Sequence, residues 1–450
     1  MSFLEELKNA VSPDSTVITD SSVTLSYAKD QAPFAEFAAP QAVLIAKSVD
    51  DVAKAVAVAN NHAVPVIARG AGTGLSGGAN SSAETLVISL EKLNQIIDID
   101  EKNLTATVQA GVINLDLDKA ASVKGLAYLP DPASREWSTI GGNAATNAGG
   151  MCCVKYGVTS QHIRSLKVVL ANGSIIEVGA KTKKSVAGLD LCRLFIGSEG
   201  TLGIIVEVTV SLVPRPPKPS TLIATFPTIK QAASASMELL QLTPSMLEIV
   251  DQTTIKAVEE WHSLGFETVG SILLMQSDDP STDLDKAQKL CENHGSIDCF
   301  YSDDPADADD LIRVRKLAYP AFERMGVALL DDIAVPMTEI ANIVEEVESI
   351  AKKYDLTIGI FGHAGDGNLH PTIVYPHGDE AAGKRALEAF HAIVQAAQKR
   401  GGTATGEHGV GSLKVNLVKN ELSEDVRELQ TGIKKLFDPK GILNPGKKLA

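Results

Sequence analysis

Pro65-Val66-Ile67-Ala68-Arg69-Gly70-Ala71-Gly72-Thr73-Gly74-Leu75-Ser76-Gly77-Gly78 passes from a short apolar run into a loop made almost wholly of glycine and small residues. Successive glycines let backbone N–H groups turn into one concavity and let a phosphate approach the main chain. Arg69 offers a charge, and Thr73 and Ser76 offer hydroxyl donors. Gly72 to Gly77 also matches the G-x-G-x-x-G dinucleotide fingerprint, which requires a helix to open at its last glycine. Here Ala79-Asn80-Ser81-Ser82 follows and a strand is expected over Thr85 to Leu90, so the context argues against a Rossmann fold.

Two further segments share this chemistry. Pro130-Asp131-Pro132 leads to Ser138-Thr139-Ile140-Gly141-Gly142-Asn143-Ala144-Ala145-Thr146-Asn147-Ala148-Gly149-Gly150, which gives little to a core and suits a backbone lying flat against a large planar or phosphorylated ligand. Gly197-Ser198-Glu199-Gly200-Thr201-Leu202-Gly203-Ile204 is the third. Each alone is a weak signal, but three in one half of the chain, separated by strands, point to one extended cofactor.

Outward from these loops, helical and strand signals alternate. A helix is expected from Asp50 to Asn61 behind a Ser48 cap, strands at Val64 to Ala68, Thr105 to Ala110 and Ile204 to Leu212, and a hairpin from Leu166–Leu170 to Ile175–Val178 across Asn172-Gly173. Pro214-Arg215-Pro216-Pro217-Lys218-Pro219 continues neither sheet nor helix and marks a domain boundary. Beyond it, Thr221–Phe226, Ile229–Leu242, Met246–Val250, Ile272–Gln276 and Thr282–His294 alternate as strand, helix, strand, strand, helix, which predicts an antiparallel sheet with helices on one face.

Composition narrows the function. A net charge of -15 argues against binding nucleic acid or an anionic membrane surface. The N-terminus MSFLEELKNAV does not read as a secretory signal, and no apolar run is long enough to span a bilayer. The five cysteines, Cys152, Cys153, Cys192, Cys291 and Cys299, are scattered and suit a reducing cytosol; without a C-x-x-C, the chain is not expected to carry an iron–sulfur cluster itself.

A second chemical signal lies near the C-terminus. Phe361-Gly362-His363-Ala364-Gly365-Asp366-Gly367-Asn368-Leu369-His370 reads as a hairpin in which His363 ends one strand and His370 starts the next, so that their rings converge as ligands for zinc or a similar divalent metal. In Thr405-Gly406-Glu407-His408-Gly409-Val410-Gly411, Glu407 can complete a metal site and His408 can stay off the metal as a base, or else serve as a fourth ligand. His62, His162, His262, His294, His377 and His391 lack such glycine context and read as ordinary core or surface residues. An acid substrate needs a cation, and Arg313, Arg315 and Lys316 stand on an expected helix, with Tyr319 one turn beyond Arg315.

The glycine segments, from about Pro40 to Pro214, resemble the FAD-binding half of the vanillyl-alcohol oxidase and para-cresol methylhydroxylase superfamily. G-H-x-G-D-G-N-x-H followed by G-E-H-G-x-G, with the closing Asn444-Pro445-Gly446-Lys447, resembles the FAD-linked dehydrogenases of D-lactate, glycolate or D-2-hydroxyglutarate and extends the likeness over nearly the whole chain. The resemblance implies an α+β fold: a PCMH-type FAD-binding domain of two α+β subdomains over residues 1–215, and a C-terminal substrate domain over 216–450, an antiparallel sheet covered by helices, whose last ~45 residues return to the FAD domain.

It also implies site roles. Arg69 to Gly74 with Ser76 and Gly77 would hold the pyrophosphate. Pro130, Asp131, Ser138, Thr139, Gly141, Gly142, Asn143, Thr146, Asn147, Ala148 and Gly149 would lie along the flavin. Glu199, Gly203 and Ile204 would flank the adenine end, and Asn444 would contribute from the C-terminus. Thr73 lies where some relatives attach flavin through a histidine, which predicts non-covalent FAD. His363, His370 and Glu407 would bind a divalent metal, zinc by preference, with His408 as base, Arg315 on the substrate carboxylate, and Asn368 and Tyr319 near the substrate; Arg313 and Lys316 read as a solvated face. Relatives of the D-2-hydroxyglutarate type carry a lysine shortly before the segment matching Asp332-Ile333-Ala334-Val335-Pro336. Here Ala328-Leu329-Leu330-Asp331-Asp332 has none, which favours a monocarboxylate such as D-lactate or glycolate. The expected acceptor is a quinone, a cytochrome or an electron-transfer flavoprotein. Oxygen use by an oxidase, or service as the FAD subunit of a glycolate oxidase complex, are the alternatives. The expected setting is cytoplasmic, compatible with the inner face of the membrane and with a homodimer.

Overall fold

The computed structural model describes residues 1–449. The chain divides into two compact units: Met1–Gly150, Val158–Arg215 and Glu407–Ala450 form one, Met151–Gly157 and Pro216–Gly406 the other.

The first unit holds two α+β layers. Ser48 accepts a hydrogen bond from Asp51 N at 3.1 Å and starts helix Val49–Asn61, which buries Val52, Val56 and Ala59 against a four-stranded sheet. In that sheet Ala42–Ile45, Leu86–Ser89 and Val66–Arg69 run parallel, and Thr16–Ile18 adds an antiparallel edge. No helix follows the first glycine loop; the chain returns directly as strand Leu86–Ser89. The second layer is a five-stranded antiparallel sheet ordered Ile96–Asp100, Thr105–Gln109, Ile204–Ser211, Ile163–Val169, Ile175–Gly179. Its last pair is the expected hairpin, with Gly173 at φ +81° in the turn. The closing segment docks on the first layer: Val66 N donates to Ile442 O at 2.7 Å and Asn444 N to Val66 O at 2.8 Å.

One glycine segment departs from its reading as flat loop. Ile140–Thr146 is a helix capped by Thr139, whose Oγ1 accepts from Gly142 N at 3.2 Å. Gly141 is there for close packing, since a Cβ would lie 2.4 Å from that of Ala110.

The second unit is built on an eight-stranded sheet whose main path is Asp298–Ser302, Ser220–Phe226, Ser271–Ser277, Met246–Asp251, Thr357–His363, Asn368–Tyr375 and Val327–Leu330, all antiparallel, with Ile333–Ala334 also pairing on Asn368–Tyr375. Helices cover both faces, not one. Gln252–Glu259 and Arg313–Met325 pack Ile255, Val258, Val314 and Phe322 against Met246, Val250, Ile272 and Phe361. Ile229–Leu239, Ile340–Tyr354 and Glu380–Lys399 meet the same strands from the other side. The strand Met246–Asp251 is therefore buried at every residue, as a strand covered on both faces must be. Among the described residues no helix is long and apolar enough to cross a membrane.

Candidate active site

Within the first unit the three glycine segments converge on one cleft of about 1350 Å³. Its walls bring together Gly70 to Gly74 and Ser76 of the first segment, Ser138, Thr139, Gly141, Gly142, Asn143, Thr146, Ala148 and Gly149 of the second, and Glu199, Gly203 and Ile204 of the third. Glu407 and His408 line the same cleft. The wall is mostly main chain and small side chains, as the sequence anticipates for an extended ligand.

Six expected cofactor residues lie outside the cleft wall and shape it from behind. Arg69 folds under its own loop, donating from Nη1 to Lys29 O at 2.7 Å, and its guanidinium fills the space where a Gly72 side chain would stand. Gly77 takes φ +78°, with Ser412 and Ala35 where a Cβ would go. Pro130 O accepts from Asn114 Nδ2 at 3.2 Å, and Asp131 packs on Gly150. Asn147 caps its helix in the left-handed conformation and accepts from Ser160 N at 2.9 Å. Asn444 ties two segments together, donating to Gly78 O at 3.0 Å and Glu199 O at 2.6 Å.

The cleft fits a polar cofactor. Ser138 Oγ and Asn143 Nδ2 are buried in its wall without a hydrogen-bond partner among the described residues, a cost that a ligand's polar atoms remove. Sequence reading missed Asp30, which also lines it. Burial pushes the Asp30 carboxyl up, against hydrogen bonds from Ala32, Ala79 and Gly77 and the positive charge of Lys447. Nothing local marked Asp30, since it lies far from any glycine motif.

The Glu407-His408 segment is held to the cleft by backbone anchors. Ser76 Oγ donates to His408 O at 3.0 Å, and Ser412 N and Leu413 N donate to Ser76 O. The two oxygens of Glu199 accept from Val410 N and Gly411 N, each at 2.7 Å. His408 Nε2 stands 3.6 Å from Glu407 Oε1.

In the second unit, the hairpin brings His363 and His370 together as expected, although strand Asn368–Tyr375 begins two residues before His370. His370 pairs with Phe361 and His363 with Asn368, so the two histidines are diagonal neighbours on one face. Their Nε2 atoms are 3.2 Å apart and both rings are buried. Glu248, the cross-strand partner of His363, places Oε1 2.5 Å from His363 Nδ1 and accepts at Oε2 from Arg315 Nε at 2.6 Å. The Arg315 guanidinium lies over Phe361, 4.6 Å from the ring centroid. Arg313 and Lys316 are exposed, Lys316 pairing with Asp309 at 2.7 Å. Tyr319, one turn from Arg315, has its hydroxyl pushed up to about 12, first by burial and then by the charge of Glu323.

Asn368 donates from Nδ2 to Asp332 Oδ1 at 2.8 Å and Ile333 O at 2.9 Å. Asp332 also accepts from Thr405 Oγ1 at 2.6 Å and lies 3.8 Å from His370 Nδ1. Gly406 packs so closely on Asn368 that a Cβ would come within 2.4 Å of its amide. Glu248 and Asp332 were not anticipated as site residues. The available signal was a carboxylate inside an apolar strand, Met246-Leu247-Glu248-Ile249-Val250, and an acidic pair between the apolar Leu329-Leu330 and Ile333-Ala334.

Comparison with known proteins agrees with this architecture. The model for FAD linked oxidases, C-terminal domain, matches residues 215–448, and that for the FAD binding domain matches 40–179. Glycolate oxidase subunit GlcD of Bacillus subtilis is 42% identical over 419 residues, covering 91% of this chain and 89% of that protein. D-lactate dehydrogenase of Anaerostipes hadrus is 34% identical over 99% of this chain and 96% of its own length. The solved structure of p-cresol methylhydroxylase with substrate bound superposes with a TM-score of 0.83 over 99% of this chain and 96% of that one, at 18% identity, which shows a shared fold. With its glycine-walled cleft and a match over nearly its full length, the chain belongs to the FAD-linked oxidases and is an FAD-dependent oxidoreductase.

Proposed function

We propose that the protein oxidises a small D-2-hydroxy acid, D-lactate or glycolate by preference, to the 2-keto acid, and passes the electrons to a quinone, a cytochrome or an electron-transfer flavoprotein. The observation that carries this reading is the buried group of the second unit: Arg315, a cation suited to a carboxylate, ordered beside two imidazoles whose Nε2 atoms are 3.2 Å apart. The relatives' names point the same way, since glycolate and D-lactate are both small 2-hydroxy acids.

The roles proposed for the residues follow from their chemistry. Arg315 grips the substrate carboxylate through two parallel hydrogen bonds. His363 and His370, whose Nε2 atoms face each other, would be donors for a divalent cation, with Glu407 the third donor implied by the sequence. His408, in the wall of the FAD cleft, takes the hydroxyl proton. Asn368, its amide N–H groups committed to Asp332 and Ile333, stands near the substrate. Bound FAD supplies the hydride acceptor, and a bound cation supplies positive charge that eases loss of the hydroxyl proton. The lack of a lysine in Ala328-Leu329-Leu330-Asp331-Asp332 favours a monocarboxylate.

His408→Ala tests the assignment. The variant should bind FAD with an unchanged flavin spectrum and lose at least a hundredfold in the rate of flavin reduction; reduction at the wild-type rate refutes His408 as base. A second reading, the FAD subunit of a multi-subunit oxidase, is favoured by the name of the Bacillus subtilis relative, and co-purification of an iron–sulfur protein from the native source would establish it.

A further inference from the structure

Glu248 sits in the middle of strand Met246–Asp251 and is 0% exposed. A carboxylate so deep in a sheet is strongly disfavoured unless its charge is matched and its lone pairs are filled. Here both oxygens are engaged by residues of the proposed site: Oε1 by His363 Nδ1 at 2.5 Å, Oε2 by Arg315 Nε at 2.6 Å. Strand register holds the first contact, because Glu248 and His363 are direct cross-strand partners. Helix Arg313–Met325, packed through Val314, Ala318 and Phe322, holds the second.

We propose that Glu248 is a positioning residue that sets the state of two functional groups at once: the tautomer of His363 and the presentation of Arg315. An ionised carboxylate is an acceptor only, so Oε1 keeps the His363 proton on Nδ1 and leaves the Nε2 lone pair, which faces His370 Nε2, available to a metal. Oε2 meanwhile takes the single N–H of Arg315 Nε. This turns the outer edge of the guanidinium, with Nη1 and Nη2, toward a substrate carboxylate, while the Phe361 ring supports its flat side. The inference rests on the reading of Arg315 as the substrate cation and of His363 as a metal donor.

Glutamine separates this role from mere space filling, because it has the same shape with one acceptor and one donor end. If its oxygen meets Arg315 Nε–H, its NH2 group meets His363 Nδ1, which must then accept; the proton moves to Nε2 and the metal lone pair is lost. If it is reversed, its NH2 group abuts Arg315 Nε–H, donor against donor, and the arginine is displaced. Aspartate keeps two acceptors on a stem one methylene shorter.

The experiment compares FAD-loaded wild type, Glu248→Gln and Glu248→Asp. It reads zinc affinity by competition with a chelator, melting temperature, flavin content, and KM against kcat for D-lactate and glycolate. Glu248→Gln is expected to keep its flavin and bind zinc at least tenfold more weakly, or else to keep zinc and raise KM at least tenfold; Glu248→Asp is expected to recover most of the zinc affinity. Wild-type zinc affinity together with wild-type KM in Glu248→Gln overturns the inference while leaving the proposed function standing. A wild-type protein that takes up no divalent cation refutes the metal reading itself, and the inference with it. If Glu248→Gln does not fold, nitrogen–proton correlation spectra of histidine-labelled, zinc-free wild type decide: a proton on His363 Nδ1 is expected, and one on Nε2 overturns the proposal.

Discussion

Glu199 joins the third glycine segment to the loop that carries His408, and replacing it tests how that loop is held. Its side chain is buried and accepts two backbone N–H groups, Val410 and Gly411, each at 2.7 Å. Its own backbone is tied down, donating to Ala145 O at 2.8 Å and accepting from Asn444 Nδ2 at 2.6 Å, so the carboxylate is a fixed clamp. In Glu199→Gln one terminal oxygen becomes an NH2 group facing a backbone N–H. One charge-assisted hydrogen bond, worth about 1.5–3 kcal/mol, is lost, and a buried donor is left unsatisfied. The expected local loss is about 2–4 kcal/mol, equivalent to a roughly thirty- to nine-hundred-fold rise in amide exchange. Hydrogen exchange followed by mass spectrometry over residues 407–414, with FAD bound, reads this directly, and flavin reduction per bound flavin should slow in parallel. Exchange in that segment within threefold of wild type would refute the clamp.

Asp251, the cap of helix Gln252–Glu259, accepts from Thr254 N at 2.8 Å, and burial pushes its pKa up from 3.8 to about 6. The folded state then holds the proton more tightly than the unfolded chain between those values, so stability is greatest at the acid end and falls as pH rises from about 4 through 6. Asn still caps but does not titrate, so the stability of wild type relative to Asp251→Asn should drop by about 2 kcal/mol between pH 4 and 7 in denaturant melts; a pH-independent difference would contradict this. Dialysis against a chelator should abolish turnover and leave FAD in place, with zinc or a related divalent ion restoring it; full activity in the metal-free protein would rule out a catalytic metal.

Local chemistry made part of this molecule legible in the sequence. The glycine segments, the Asn172-Gly173 hairpin, the Ser48 cap and the His363–His370 hairpin all depend on neighbours a few residues apart, where turn and strand rules act. Helix Ile140–Thr146 escaped because two adjacent glycines disfavour a helix by about 1 kcal/mol each. Packing outweighs that local preference, since only a residue without a side chain lets the helix approach Ala110. Helices on both faces of the second sheet were likewise hidden, because the segments seen as helical were too few to cover it. Glu248 and Asp332 became site residues only through strand pairing: Glu248 meets His363 across 115 positions of sequence, a register that periodicity does not reveal.

Arg315, His363, His370 and His408 are proposed above all to serve the oxidation of a small D-2-hydroxy acid by bound FAD. Anaerobic mixing of the purified flavoprotein with D-lactate, L-lactate, glycolate and D-2-hydroxyglutarate, watched through the absorbance of the oxidised flavin, tests this role most directly. Rapid bleaching by D-lactate or glycolate is expected, with little by L-lactate and weaker bleaching by the dicarboxylate. A flavin that stays oxidised with every one of these acids, or that L-lactate bleaches fastest, would contradict it.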